Sequence, residues 1–128
     1  IIESILNNAK KIDLTGGEQE RDFIYIDDVV DAFIMIIKNG ETLRKGFLRY
    51  EIGTGQSIKL KNFVKLVKNI VQNNDTVLNF GAIPYRENEV MSSKADITEI
   101  GKLKWKPQYT LEEGLLRTIS MEKDRIKK

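Results

Sequence analysis

Arg21 and Arg86 are the side chains of this sequence best suited to ligand chemistry. Each sits among turn or loop residues, and a guanidinium fork matches two phosphate oxygens at once. Acting together they would clamp a diphosphate. The alternative for each is an ordinary ion pair with a neighbouring carboxylate, Asp22 for the first and Glu87 for the second, and the sequence leaves both readings open. Asp27 and Asp28 invite a reading as an acid/base dyad, since adjacent carboxylates push each other's pKa apart. They also stand where a helix N-cap belongs, and capping accounts for at least one of them without chemistry. Gly53-Thr54-Gly55 resembles the start of a dinucleotide-binding turn, but that fingerprint needs a further glycine three residues on, and position 58 is isoleucine. The glycines are expected instead to make a tight turn after a strand, with backbone amides free to face a ligand.

What is missing narrows the chemistry further. The sequence has no cysteine and no histidine, so disulfides, thiolate nucleophiles and imidazole bases are excluded, and no metal site is expected. Its 21 basic and 19 acidic residues nearly cancel, and the lysines at 61, 65 and 68 lie opposite an apolar helical stripe with no aromatic residues on their own face to stack bases. Nucleic acid is therefore not an expected partner. No stretch approaches the roughly 20 apolar residues of a membrane helix, and no charged leader opens the chain, so a cytoplasmic protein is the expectation.

The elements that must position these residues can be read from periodicity. Ile1, Ile2, Ile5, Leu6 and Ala9 share a helical face with no cap before them, which reads as a piece cut from a longer protein. A short strand over 11–15 leads into Gly16-Gly17, and a β-branched and aromatic run over 23–26 enters a helix over 29–38 that ends at Asn39-Gly40. That helix is apolar on nearly every side, so it calls for cover on more than one face, and a chain of 128 residues is expected to leave part of it bare and prone to self-association. Further strands are expected over 47–52 and 76–80, a helix from Leu60 to Val71, and capping boxes at 96–99 and 110–113. Trp105, just before Lys106-Pro107, reads as a core anchor. Alternating strands and helices, with no repeat or linker, make residues 1–128 one α/β domain with some parallel pairing.

Taken in order, several motifs resemble the carboxy-terminal half of the NAD-dependent epimerase/dehydratase family of extended short-chain dehydrogenases/reductases. They are Arg-Asp-Phe-Ile-Tyr-Ile-Asp-Asp-Val-Val at 21–30, Tyr-Glu-Ile-Gly-Thr-Gly at 50–55, Pro-Tyr-Arg at 84–86, Ala-Asp at 95–96, Trp-Lys-Pro at 105–107 and Leu-Glu-Glu-Gly-Leu at 111–115. The resemblance covers essentially the whole chain and implies the carboxy-terminal portion of a Rossmann-type fold with mixed short strands and helices. It implies that a preceding Rossmann domain, absent here, holds NAD or NADP, that no cofactor binds this chain, and that the parent is a homodimer. The lobe itself would grip the nucleotide diphosphate of a UDP-, CDP- or dTDP-linked sugar.

By this resemblance Arg21 matches an arginine that reaches the diphosphate or ribose and Arg86 a second one that contacts the diphosphate, Ile12 and Leu14 match positions lining the nucleobase, and Gln56 matches a polar position touching the nucleotide. Glu87-Asn88-Glu89 is similar to the same stretch of enzymes that make CDP-linked deoxysugars. The family's Tyr-x-x-x-Lys pair has no counterpart: Tyr25, Tyr50, Tyr85 and Tyr109 are followed four residues later by Val29, Thr54, Glu89 and Glu113. No residue of the chain is expected to be catalytic, and the chain alone is expected to be inactive. A stand-alone sugar-nucleotide-binding or structural module is the alternative.

Overall fold

The computed structural model describes residues 1–40 and 46–127. In chain order the elements are α1 (Ile2–Leu6), β1 (Lys11–Leu14), β2 (Glu20–Arg21), α2 (Ile26–Lys38), β3 (Ile58–Lys59), α3 (Leu60–Val71), β4 (Val77–Phe80), α4 (Thr98–Gly101) and α5 (Leu111–Ile126). β1 and β4 pair in parallel, with Ile12 opposite Leu78 and Leu14 opposite Phe80, and β2 pairs antiparallel with β3, setting Arg21 opposite Ile58. The expected mixed α/β architecture with parallel pairing is present.

Two apolar clusters hold these pieces. In the first, Ile5 of α1, Val67 of α3, and Leu115 and Ile119 of α5 are buried together, with Ile12 of β1 packed against them. The helical stripe of α3 puts Val64 and Val67 wholly inside. In the second, Ala32 of α2, Ile100 of α4 and Trp105 meet, with Tyr50, Ile52 and Ile24 alongside, so Trp105 is the core anchor its position suggested. The Thr110 box is complete: the hydroxyl accepts from the Glu113 amide, and the Glu113 carboxylate accepts from the Thr110 amide.

Four expectations require correction. Residues 23–26 and 47–52 form no strand, because among the described residues neither finds a neighbour to complete a ladder, and β-branching alone cannot satisfy extended backbone. Asp27 and Asp28 do not cap α2. The helix begins at Ile26 with Tyr25 as N-cap, and no side chain bonds there. The two carboxylates also diverge in role, Asp27 being exposed while Asp28 is buried and accepts hydrogen bonds from the amides of Gln108 (2.8 Å) and Tyr109 (3.1 Å). The box expected at 96–99 is an Asx-type turn instead: Asp96 accepts from the Thr98 amide at 3.0 Å, Ile97 is the N-cap of α4, and Glu99 turns to Lys102. No helix among the described residues is long and apolar enough to cross a membrane.

Candidate functional site

β2 places Arg21 half-buried at the mouth of a cleft. Its Nη1 donates to the Glu20 carbonyl at 2.8 Å and its Nη2 meets Glu89 Oε1 at 2.6 Å. The partner is thus a carboxylate 68 positions away and not the adjacent Asp22. Asp22 is committed elsewhere: its carboxylate accepts from the amides of Thr54 (2.9 Å), Gly55 (2.9 Å) and Ala95 (3.3 Å) and from the Thr54 hydroxyl. The amides of the Gly53-Thr54-Gly55 turn therefore face Asp22 and not a ligand, which corrects the expectation drawn from the glycines. Gly53 is required there by space, since a Cβ would come within 2.5 Å of the Ala95 methyl and 2.6 Å of Asp22 Oδ2.

Arg86 lies on the exposed segment between β4 and α4, and that segment is laced to residues 14–21 along its length. The Ile83 amide donates to the Leu14 carbonyl (3.1 Å), the Glu18 amide to the Tyr85 hydroxyl (3.0 Å), the Glu20 amide to the Met91 carbonyl (2.8 Å) and the Ser93 amide to the Glu20 carbonyl (3.2 Å). The Tyr85 ring also lies over Gly16, where a Cβ would stand 2.7 Å from its hydroxyl. Within this segment the Glu89 amide donates to the Arg86 carbonyl at 3.1 Å, so one turn carries both Arg86 and the carboxylate that holds Arg21. Among the described residues the Arg86 side chain forms no ion pair; Glu87 does not engage it. The two arginines thus sit on facing segments of one edge.

The other expected residues divide. Gln56 joins Arg21, Phe23, Thr54, Ile58 and Tyr109 around a cavity of about 260 Å³. Leu14 sits at the root of the Arg86 segment, through its carbonyl's bond to Ile83, while Ile12 packs on the first core cluster. Arg86 does not line the cavity. Ligand pockets that enclose a drug-sized molecule run to roughly 300–1,000 Å³, so this cleft falls just short of that range. Three residues that matter to its geometry escaped the sequence reading. Glu89 and Asp22 act on partners far away in sequence, and Tyr85 acts through a hydroxyl whose target is a backbone amide, none of which leaves a periodic signal.

Glu18 fixes the opposite side of the Tyr85 contact. Hydrogen bonds from the ammonium groups of Lys59 (2.7 Å) and Lys61 hold its carboxyl down to about 2 from an ordinary value of 4.5. A carboxyl depressed on folding contributes stability that is complete above its unfolded value and is lost as pH falls through its folded one. Glu18→Gln should therefore lower the urea midpoint by a constant amount above pH 5, and the gap to the unaltered chain should close between about pH 4.5 and 2. Added salt should narrow it at neutral pH, because the group is exposed. A gap unchanged down to pH 2 would show that these lysines do not hold the carboxyl.

Among the described residues no group of three or more acidic side chains is placed to hold a metal ion. The Thr54 and Gly55 amides of the glycine turn are both taken by the Asp22 carboxylate.

A family model described as GDP-mannose 4,6 dehydratase matches residues 1–118. The chain is 37% identical over 122 residues to a CDP-abequose synthase of Salmonella muenchen, covering 95% of this chain and 40% of that protein. A CDP-abequose synthase of Salmonella typhimurium is 34% identical over 116 residues, covering 90% and 38% respectively. Among solved structures, the UDP-glucose 4-epimerase of Thermotoga maritima with UDP-glucose superposes with a TM-score of 0.79 at 30% identity, over 98% of this chain and 38% of that one. The chain therefore spans about 40% of the length of the curated relatives it matches, and it corresponds to a carboxy-terminal portion of their fold.

Proposed function

The chain belongs to the NAD-dependent epimerase/dehydratase family of extended short-chain dehydrogenases/reductases, and from that membership we propose that it is the substrate-binding portion of a nucleotide-sugar epimerase, dehydratase or reductase. Arg21 and Arg86 grip the diphosphate of the sugar nucleotide, and Gln56 lines the cleft beside Arg21. The observation that supports this reading is the lacing of the segment that carries Arg86 onto residues 14–21, which brings the backbones of two arginines distant in sequence onto neighbouring segments. Glu89 pairs with Arg21, and a diphosphate, with more charge and more acceptor oxygens, displaces it.

NAD or NADP belongs to the preceding part of the parent and supplies hydride chemistry there; no step runs through it here. Lacking a Tyr-x-x-x-Lys pair, the purified chain turns over no sugar nucleotide with either cofactor. CDP-linked sugars stand first among the ligands, because two relatives, 37% and 34% identical, are CDP-abequose synthases.

The test is a titration of CDP-, UDP- and dTDP-sugars followed by amide shifts. Arg21→Ala and Arg86→Ala should each weaken binding about 10- to 100-fold, the equivalent of a lost hydrogen bond to a charged group. Gln56→Ala should have a smaller effect. If neither arginine variant changes the affinity, the diphosphate lies elsewhere and the assignment fails.

A further inference from the structure

The segment over 81–93 lies on the fold as a strap. None of its residues joins either apolar cluster, and all but Glu89 are exposed. It holds no helix or strand, only a single bridge from Ser92 to Glu20. Its ties to residues 14–21 therefore decide where it sits, and they fall unevenly. Ile83 is bonded at one end, and Glu89, Met91 and Ser93 at the other. Over residues 84–88, the one hydrogen bond to 14–21 among the described residues runs from the Glu18 amide to the Tyr85 hydroxyl at 3.0 Å. Arg86 comes next in the chain, so that contact places its backbone.

Both sides of the contact are fitted to it. Glu18 is fixed from behind, its carboxylate bridging Lys59 of β3 and Lys61 of α3. The Tyr85 ring reaches Glu18 by crossing Gly16, where a Cβ would stand 2.7 Å from the hydroxyl, 3.4 Å from Cζ and 3.6 Å from Cε2. Only the hydroxyl would collide, since the two ring carbons stand at ordinary contact distance. Gly16 is not in the left-handed region, so its missing side chain provides space and not backbone freedom.

We propose that Tyr85 is a positioning residue for sugar-nucleotide binding: passing over Gly16, it latches the strap to Glu18 and so holds the backbone of Arg86 beside the segment that carries Arg21. The proposal rests on the diphosphate reading of Arg86. A latch made of one neutral hydrogen bond acts through populations. With it broken, the strap spends less time in the binding-competent position and the apparent affinity falls by that fraction, about 3- to 10-fold for a bond of this kind. The loss must disappear once Arg86 is removed, because Tyr85 acts on the ligand only through it.

The experiment uses the full-length parent and reads two quantities, hydrogen exchange of peptides covering 81–93 and affinity for CDP, UDP and dTDP. Tyr85→Phe keeps the ring and removes the hydroxyl; it should speed exchange about 3- to 10-fold and weaken binding by a similar factor. Gly16→Ala should do the same by pushing the hydroxyl aside, and should add nothing when combined with Tyr85→Phe, which removes the colliding atom. Tyr85→Phe with Arg86→Ala should bind no more weakly than Arg86→Ala alone. Exchange unaltered by both Tyr85→Phe and Gly16→Ala would overturn the latch. So would losses that add in the Gly16→Ala, Tyr85→Phe pair, or faster exchange at unchanged affinity while Arg86→Ala weakens binding. An Arg86→Ala variant that binds as tightly as the unaltered protein would instead sink the diphosphate assignment, and exchange alone would then decide whether Tyr85 holds the strap.

Discussion

Replacing Asp22 with alanine is expected to destabilise the chain by about 3–5 kcal/mol. One carboxylate serves the amides of Thr54, Gly55 and Ala95 and the hydroxyl of Thr54. Bonds to a charged acceptor are worth roughly 1.5–3 kcal/mol each, less when they share one group, and three amides would be left facing an apolar methyl. Against a total stability of roughly 5–15 kcal/mol for a domain of this kind, the loss brings the variant close to unfolding. Asp22→Asn keeps one acceptor oxygen and should fall between the two. Urea denaturation followed by far-ultraviolet circular dichroism reads the difference. The site should suffer as well, because Asp22 follows Arg21 directly and ties it to the turn that carries Gln56. A cost for Asp22→Ala below about 1 kcal/mol would mean that water replaces the carboxylate at these amides and that the clamp has no mechanical role.

Asp28→Ala is expected to cost about 2–4 kcal/mol, for a different reason. Asp28 is fully buried, and its two oxygens meet the amides of Gln108 and Tyr109 at 2.8 and 3.1 Å. Its burial is offset by those bonds and by its place in the first turn of α2, where the helix dipole favours negative charge. Removing it strands two amides away from water. It also frees the residues just before Thr110, which starts α5, so the edge-on contact of Tyr25 with Tyr109 (4.8 Å between ring centres) should loosen. A reduced near-ultraviolet tyrosine signal would report this. Asp28→Asn should restore little, because its amide group would confront one of the backbone N–H donors. Asp27→Ala, one position earlier and exposed, should stay within about 0.5 kcal/mol of the unaltered chain. Equal effects at 27 and 28 would refute the assignment of the buried contacts to Asp28.

These two aspartates show where reading the sequence stopped. As neighbours of the same type they admitted a dyad or a cap. Their fates were separated by residues 80 positions away, which no local pattern records. Arg21 behaves likewise: its nearest carboxylate in sequence is Asp22, yet the loop carrying Glu89 reaches it first, because residues 83, 85, 91 and 93 bind that loop down. α3, with its strong apolar stripe, and α5, with its capping box, were legible because those signals fall within one or two turns. The runs at 23–26 and 47–52 were legible only as strand material, and a strand exists by virtue of a partner.

Composition and spacing by themselves determined the absence of thiol and imidazole chemistry, the mixed α/β class, the two complete faces of α2, and the family whose motifs recur in order. Those are properties of residue types and short periods, which the chain carries wherever it folds. The tertiary structure alone decided which carboxylate holds which backbone, that the glycine turn faces Asp22, that Ile12 serves the core while Gln56 lines the cleft, and that the outer face of α2 stays bare. Each of these depends on how loops close over long separations in the chain, where side-chain hydrogen bonds to backbone amides, invisible in sequence periodicity, choose between alternatives of similar apolar pattern.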